Sequence, residues 1–543
     1  MRKRFTRPAC PCALPAIPLT LRLLPLSFSI VCNSESRCQS IIPFPCGASV
    51  NVICVCLDTF RADIIGPGRK YSHAHTPNLD KFHRSSIRFN RAFGEGQPTL
   101  QVRRALFTGM RSFPWRYNFD RRGHWHHAPG WHKIPPEQDT IAEVLLERGY
   151  LTALIADTYH MFKPTMNFSR GFAHLDFVRG QESDNWKSGD PRLVEAQLAR
   201  HVRQPVDMLK HAGLVNYLLN QRHRKDKDDY QCARVFNSAC AWLADNHTAG
   251  PFFLWVDSFD PHEPWDPPTE YADRYFEHDG LDFIVPGPAY ARDGSGGPGG
   301  PGGPGGPDGP SEAELRRIEA LYLGEVTLVD EYVGRLLNAV ADLNLLDETL
   351  IVILSDHGTQ LLDQGSFGKG PNELHPFNTQ LNLMMRVPGG PTDVDVDAFV
   401  QNHDLMPTLL GRLGVRADWT YGEDLWPLVT GEQAAVRDRI VTGWASFITG
   451  NAVGRASVRD DRWNFCTSVG YEHEAGDELF DLERDPEERR NVAELHPDVV
   501  SERRSDVEAV LGQPLPGRMV EVCDPAPAPM THWLEQRLRN RQD

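Results

Sequence analysis

Four short apolar runs each stop at an aspartate, and no other feature constrains the fold of this chain as tightly. They are "NVICVCLD" ending at Asp58, "LTALIAD" at Asp157, "PFFLWVD" at Asp257 and "TLIVILSD" at Asp356. None alternates apolar with polar, as a strand with one wet face would. Continuous β-branched runs of this length suit strands buried on both faces, as in a parallel sheet covered by helices. Helical stretches lie between them. "QDTIAEVLLERGY" (138–150) spaces Ile141, Val144 and Leu145 at helical intervals and stops at Gly149. The long segment 311–346 sets Ile318, Tyr322, Val326, Val329, Val333 and Leu336 near one face. The expectation is an α/β fold with a mainly parallel sheet sandwiched by helices, whose strand-terminal carboxylates converge on one edge. Ligands bind at that edge in such sheets.

Beyond about residue 430 the pattern changes. "DRIVTGWASF", "GRASVRDDRWNFCTSV" and "DELFDLERDP" alternate like antiparallel strands, and a helical tail follows. The reading divides the chain into a leader (1–48), a catalytic domain (49–425) and a smaller C-terminal α+β subdomain (426–543). The Gly/Pro-rich stretch 294–312 cannot pack a core and reads as an exposed insertion. The leader is basic and then apolar, but Pro15, Pro18, Arg22 and Pro25 interrupt the apolar run. The interruptions favour a disordered leader and a cytoplasmic chain; a signal segment and secretion stay open as the alternative. No run elsewhere is long and apolar enough for a transmembrane span. A net charge of −16 excludes a nucleic-acid backbone as partner, since that needs a basic face. Seven of the eleven cysteines precede residue 57, so no evenly spaced disulfide framework is present. Oligomeric state is not legible.

The pair Asp356-His357 follows a buried strand directly, and Asp58 ends another. Carboxylates and an imidazole at strand ends can turn into one cation site. These residues stand among ordered motifs: "NVICVCLDTFRAD" (51–63), "TPNLDKF" (76–82), "TLQVRRALFTG" (99–109), "FDPHEPWDPP" (259–268), "LIVILSDHGTQLLDQGSFGKG" (350–370), "HDLMPTLLGRLGV" (403–415) and "ELFDLERDPEERRNVA" (478–493). In this order they resemble the sulfatases of the alkaline phosphatase superfamily. The resemblance implies a metal-dependent hydrolase of sulfate esters or related small anionic esters. It makes Asp58, Asp356 and His357 ligands of one divalent ion, with Thr99 supplying an oxygen. Calcium is the family's usual ion, and this ligand set also suits zinc or manganese.

Two departures matter. A second aspartate ligand is common after Asp58, and here Thr59 stands there. The family's nucleophile motif is C/S-x-P-x-R, and the matching positions are Thr99, Gln101 and Arg103. A threonine β-carbon bears a methyl group and cannot become formylglycine, so none is expected. A plain hydroxyl remains a competent nucleophile elsewhere in the superfamily, and the chain reads as a subgroup with Thr99 in that role. The resemblance further assigns Arg103 to the nucleophile and anion, Lys369 to a non-bridging oxygen, and His262 to the leaving group as general acid. His375 is a possible further substrate contact. A phosphodiesterase or phosphonate monoester hydrolase is the alternative, and a degenerate sulfatase-like binding protein the second. Arg104, Trp255, Trp265 and Tyr322 read as structural, His73 and His75 as loop residues, "HWHH" (124–127) as a loop, and "RHRKDKDD" (222–229) as a solvated turn.

Overall fold

The computed structural model describes residues 50–539 apart from 116–129, 163–165, 183, 287–309, 373, 449–450, 470–475 and 516–528. The leader, "HWHH" and all but the last residues of the Gly/Pro stretch therefore lie outside the described residues.

The four apolar runs form strands Asn51–Leu57, Leu151–Ala156, Phe252–Ser258 and Thr349–Ser355, and they are immediate neighbours in one sheet. Asn51–Leu57 lies at the centre, parallel to Phe252–Ser258 on one side and to Thr349–Ser355 on the other. Leu151–Ala156 joins beyond Phe252–Ser258, and His174–Phe177 continues the parallel order to the edge. The other flank is mixed. Leu383–Arg386 pairs antiparallel with Thr349–Ser355 and with Ile87–Phe93, and Val394–Gln401 adds to Ile87–Phe93 in parallel.

Both faces of the sheet are covered, which explains the unbroken apolar runs. Ile53, Val55, Ile351 and Ile353 pack into a core with the Glu312–Asp342 helix. Val52, Cys54, Cys56, Val352 and Leu354 point into the opposite core, with Leu106 and Phe107. The long helix starts where Ser311 and Glu314 form a reciprocal capping box, and all six of its predicted face residues are buried. The helix predicted near 138–150 is the short Ile141–Leu146, capped the same way by Thr140 and Glu143. Trp255, Trp265 and Tyr322 are fully buried core residues, and His73 and His75 are exposed.

The basic run 222–229 is a turn in which no residue is buried, as its composition suggests, and it is also tied to its neighbours. Arg224 is held by Asp266 at 2.9 Å and lies over the Tyr230 ring, while Lys227 pairs with Glu331 at 2.7 Å. Tyr332, on the long helix, donates to Asp228 at 2.6 Å. Aromatic and acidic partners from distant segments thus anchor this solvated turn, contacts that composition alone does not show.

The C-terminal strands Ile440–Ile448, Asn451–Arg459, Trp463–Ser468 and Glu478–Asp481 form an antiparallel meander. A two-residue strand from far upstream, Gly96–Gln97, completes that sheet alongside Gly443 and Trp444. The segment that leads into Thr99 is thus tied to the C-terminal sheet just after Ile87–Phe93 leaves the central one. Among the described residues no helix is long and apolar enough to cross a membrane.

Candidate active site

The carboxyl ends of the central strands deliver Asp58, Asp257 and Asp356 to one buried point, all fully inaccessible to solvent. Arg103 occupies it. Its Nε and Nη2 donate to Asp257 at 2.8–3.1 Å, and its Nη1 donates to Asp356 Oδ2 at 2.5 Å and lies 3.0 Å from Asp58 Oδ2. Burial opposes its charge, but Asp257 and Asp356 hold the guanidinium well above its ordinary range. Every direction of this fork is spent on protein groups, including the Thr99 carbonyl at 3.3 Å. The structure therefore places Arg103 as the clamp that orients the aspartates and the first helical turn. Asp257 is itself fixed by Thr158 Oγ1 at 2.6 Å and the Trp255 indole at 3.0 Å.

Thr99 opens the helix Thr99–Thr108, which closes on Gly109 in a left-handed C-cap at φ 64. That helix directs its N-terminus, the end that favours anions, at the site. Thr99 Oγ1 lies 3.4 Å from His357 Nε2. On the other side of the imidazole, Nδ1 sits 2.9 Å from the Gly358 carbonyl, so the ring proton belongs on Nδ1 and the Nε2 lone pair faces the carboxylates. Burial is the main cause that lowers His357 to about 4, with the Lys369 charge adding to it; Asp356 acts in opposition. The ring is neutral at physiological pH.

Asp58, Asp356 and His357 each offer a ligand atom within 4.8 Å of the others'. Three observations fit a divalent cation there. Asp58 Oδ2 is buried and accepts no hydrogen bond, with Arg103 Nη1 as its charged neighbour at 3.0 Å. The bare His357 Nε2 lies 3.6 and 3.5 Å from oxygens of Asp58 and Asp356, with no proton between them. Burial and the Asp356 charge push Asp58 well up, while Asp356, against its own burial, is held to about 2 by His357, Arg103 and the Thr59 N–H. A cation at this point would satisfy all three groups.

Thr59 shows how the chain manages with one aspartate fewer. Its hydroxyl donates to Asp58 Oδ1 at 2.8 Å and its N–H to Asp356 Oδ1 at 3.0 Å. It does so at φ +60, a conformation that a β-branched residue rarely adopts, held by the Tyr322 hydroxyl on its carbonyl. The second departure, Gln101, turns away from the site: its Oε1 accepts from the Trp115 indole at 2.8 Å. Arg104 is structural, bound to the carbonyl and ring of His132.

Lys369 and His262 meet on a residue absent from the sequence expectations, Glu263. Lys369 Nζ donates to Glu263 Oε2 at 2.6 Å, and His262 Nδ1 lies 3.2 Å from the same oxygen and 2.6 Å from the Glu263 carbonyl. His262 stacks on Phe259 at 4.0 Å; burial and then Lys369 lower its pKa, so the ring is neutral near pH 7. The charge of Lys369 acts on Asp58 and His357, lowering the pKa of both. His375 is buried. Its Nδ1 pairs with Glu488 at 2.7 Å, in a buried cluster with Arg459 and Asn464 of the C-terminal sheet. Trp444, from the same sheet, stands 6.3 Å from the His357 ring, a neighbour that only tertiary pairing reveals.

Comparison with known proteins identifies the family. The Sulfatase family model matches residues 50–415, more than half of the chain, and the model "N-sulphoglucosamine sulphohydrolase, C-terminal" matches residues 374–509. An arylsulfatase of Clostridium perfringens is 25% identical over 487 residues, covering 86% of this chain and 95% of that protein. A choline-sulfatase of Rhizobium meliloti is 23% identical, with 82% of each chain covered. The crystal structure of a phosphonate monoester hydrolase of Agrobacterium radiobacter superposes with a TM-score of 0.63 at 21% identity, over 85% of this chain and 95% of that one, a likeness of fold. With the family model, the order of motifs and the strand-end aspartates in agreement, this chain belongs to the sulfatase family, hydrolases of the alkaline phosphatase superfamily.

Proposed function

We propose that the protein hydrolyses sulfate esters or related anionic esters with Thr99 as an unmodified nucleophile. The observation that carries this reading is the placement of Thr99 Oγ1 at a helix N-terminus, 3.4 Å from a neutral His357 that shares a buried point with Asp58 and Asp356. Asp58, Asp356 and His357 would hold one divalent ion, whose charge would lower the pKa of a nearby hydroxyl. Calcium is the first candidate by family, with zinc or manganese next. Arg103 keeps the aspartates and the helix start in register. Lys369 contacts a non-bridging oxygen of the ester. His262 serves the leaving group: an anion seated beside Lys369 offsets the lysine charge and returns the ring toward its ordinary pKa, so that it can carry the proton. Residues 49–425 hold this chemistry, and the subdomain 426–543 buttresses it through Trp444 and the Gly96–Gln97 pairing.

Thr99 attack at sulfur or phosphorus gives a covalent threonyl ester and releases the alcohol. An aldehyde hydrate could expel the anion by collapsing; a threonyl ester cannot, and water must attack the central atom itself. Phosphorus accepts that second attack more readily, so the threonine favours a second reading as phosphodiesterase or phosphonate monoester hydrolase. The test is a panel of aryl sulfate, aryl phosphodiester and aryl phosphonate monoester, each assayed with protein reconstituted in calcium, zinc or manganese. Turnover of the sulfate supports the first reading and turnover of only the phosphorus esters the second. Turnover of none, under all three metals, would leave a sulfatase-like binding protein.

A further inference from the structure

We propose that Glu263 is a charge filter: its carboxylate, fixed on Lys369 and His262, makes the anion subsite selective for monoanions over dianions of the same shape. The inference rests on the reading of Lys369 as the contact for a non-bridging oxygen, and it narrows the substrate class of that site.

The geometry supplies the argument. Lys369 Nζ and Glu263 Oε2 are 2.6 Å apart, with side chains only 12% and 15% exposed. His262 approaches the same oxygen at 3.2 Å. One carboxylate thus occupies both cationic or potentially cationic groups on this wall of the site. Burial disfavours its charge, yet Lys369 and His262 hold it at about 2, so it is ionised across the working pH range. The ammonium keeps donors free for an incoming oxyanion, because three protons point from Nζ and one is spent on Glu263. A monoanion adds one negative charge beside a neutralised ion pair. A dianion adds a second next to a carboxylate that cannot retreat into water, and in a site of low dielectric that repulsion is costly. Sulfate esters, phosphodiesters and phosphonate monoesters are monoanions; phosphate monoesters are dianions. The filter therefore admits both substrate families of the proposed function and rejects simple phosphate monoesters.

Benzenesulfonate and phenylphosphonate test this without turnover. They share one shape, and at mildly alkaline pH the first is a monoanion and the second a dianion. Their dissociation constants are measured by calorimetry on the full-length metal-loaded protein, its Glu263→Gln variant and its Glu263→Asp variant. The native protein is expected to favour benzenesulfonate. Glu263→Gln should shift the ratio of the two constants toward the dianion by about tenfold or more, and Glu263→Asp, which keeps the charge, should preserve the native preference. No preference in the native protein overturns the inference, and so does a ratio unmoved by Glu263→Gln while both affinities fall together. Because the ligands are inert, a protein that turned over no ester would refute the proposed activity and leave this measurement standing.

Discussion

Two threonines set the chemistry of individual residues here. Thr99 is the nucleophile in our proposal, and its hydroxyl is the only part of the side chain the chemistry needs. Thr99→Ser is therefore expected to keep activity within about tenfold, whereas Thr99→Ala should lower kcat by roughly 10³-fold or more, with folding checked by circular dichroism. Thr59 stands where an additional carboxylate would bind the ion, at φ +60. Aspartate tolerates that backbone better than threonine does, and it adds a charge. Thr59→Asp should tighten divalent-ion binding by roughly tenfold in a calorimetric titration. Both departures were legible in the sequence as substitutions in a motif. Their physical consequences were not, since neither the left-handed backbone nor the Asp58 contact has a sequence signal. Asp257 was visible as a strand-terminal aspartate, but its pairing with Arg103 was not, because it depends on which strands are neighbours.

At the scale of elements, the four apolar runs were readable because burial on both faces leaves an unbroken hydrophobic signature. The flanking strands Ile87–Phe93 and Val394–Gln401 carry charges such as Arg88 and Asp395, which pair with each other across the strands at 2.7 Å. Their sequences carry no unbroken apolar signal, since such pairing is a property of the sheet. Gly96–Gln97 is too short to have any periodicity. The loop after His357 shows how tightly the elements are fitted. A Cβ on Gly358 would lie 2.1 Å from the Phe377 carbonyl oxygen, against backbone that cannot swing aside. Gly358→Ala is expected to cost roughly 2–4 kcal/mol in a urea melt and to weaken ion binding through His357 next to it.

Across the whole molecule, the C-terminal sheet is tied to the catalytic half by Glu488. Burial opposes its charge, but Arg459 and His375 hold its pKa at about 2, against 4.5 for a free glutamate. A depressed carboxylate stabilises the fold above its unfolded pKa and loses that contribution as pH falls toward the folded value. The stability is present at neutral pH, of order ~3 kcal/mol, and is lost between about pH 4.5 and 2. Glu488→Gln should be less stable than the native protein at pH 7, with the difference shrinking through that window in chemical denaturation. This cluster also accounts for His375. Its Glu488 partner has no sequence signal, because the pairing joins segments more than a hundred residues apart.

A covalent threonyl ester on an unmodified Thr99 can be trapped by acid-quenching the metal-loaded enzyme within its first turnovers. Its peptides are then sequenced by mass spectrometry. The expected result is a sulfo- or phospho-group on Thr99, with the resting enzyme carrying plain threonine there. An adduct on another residue, or a resting Thr99 already converted to something other than threonine, would contradict it.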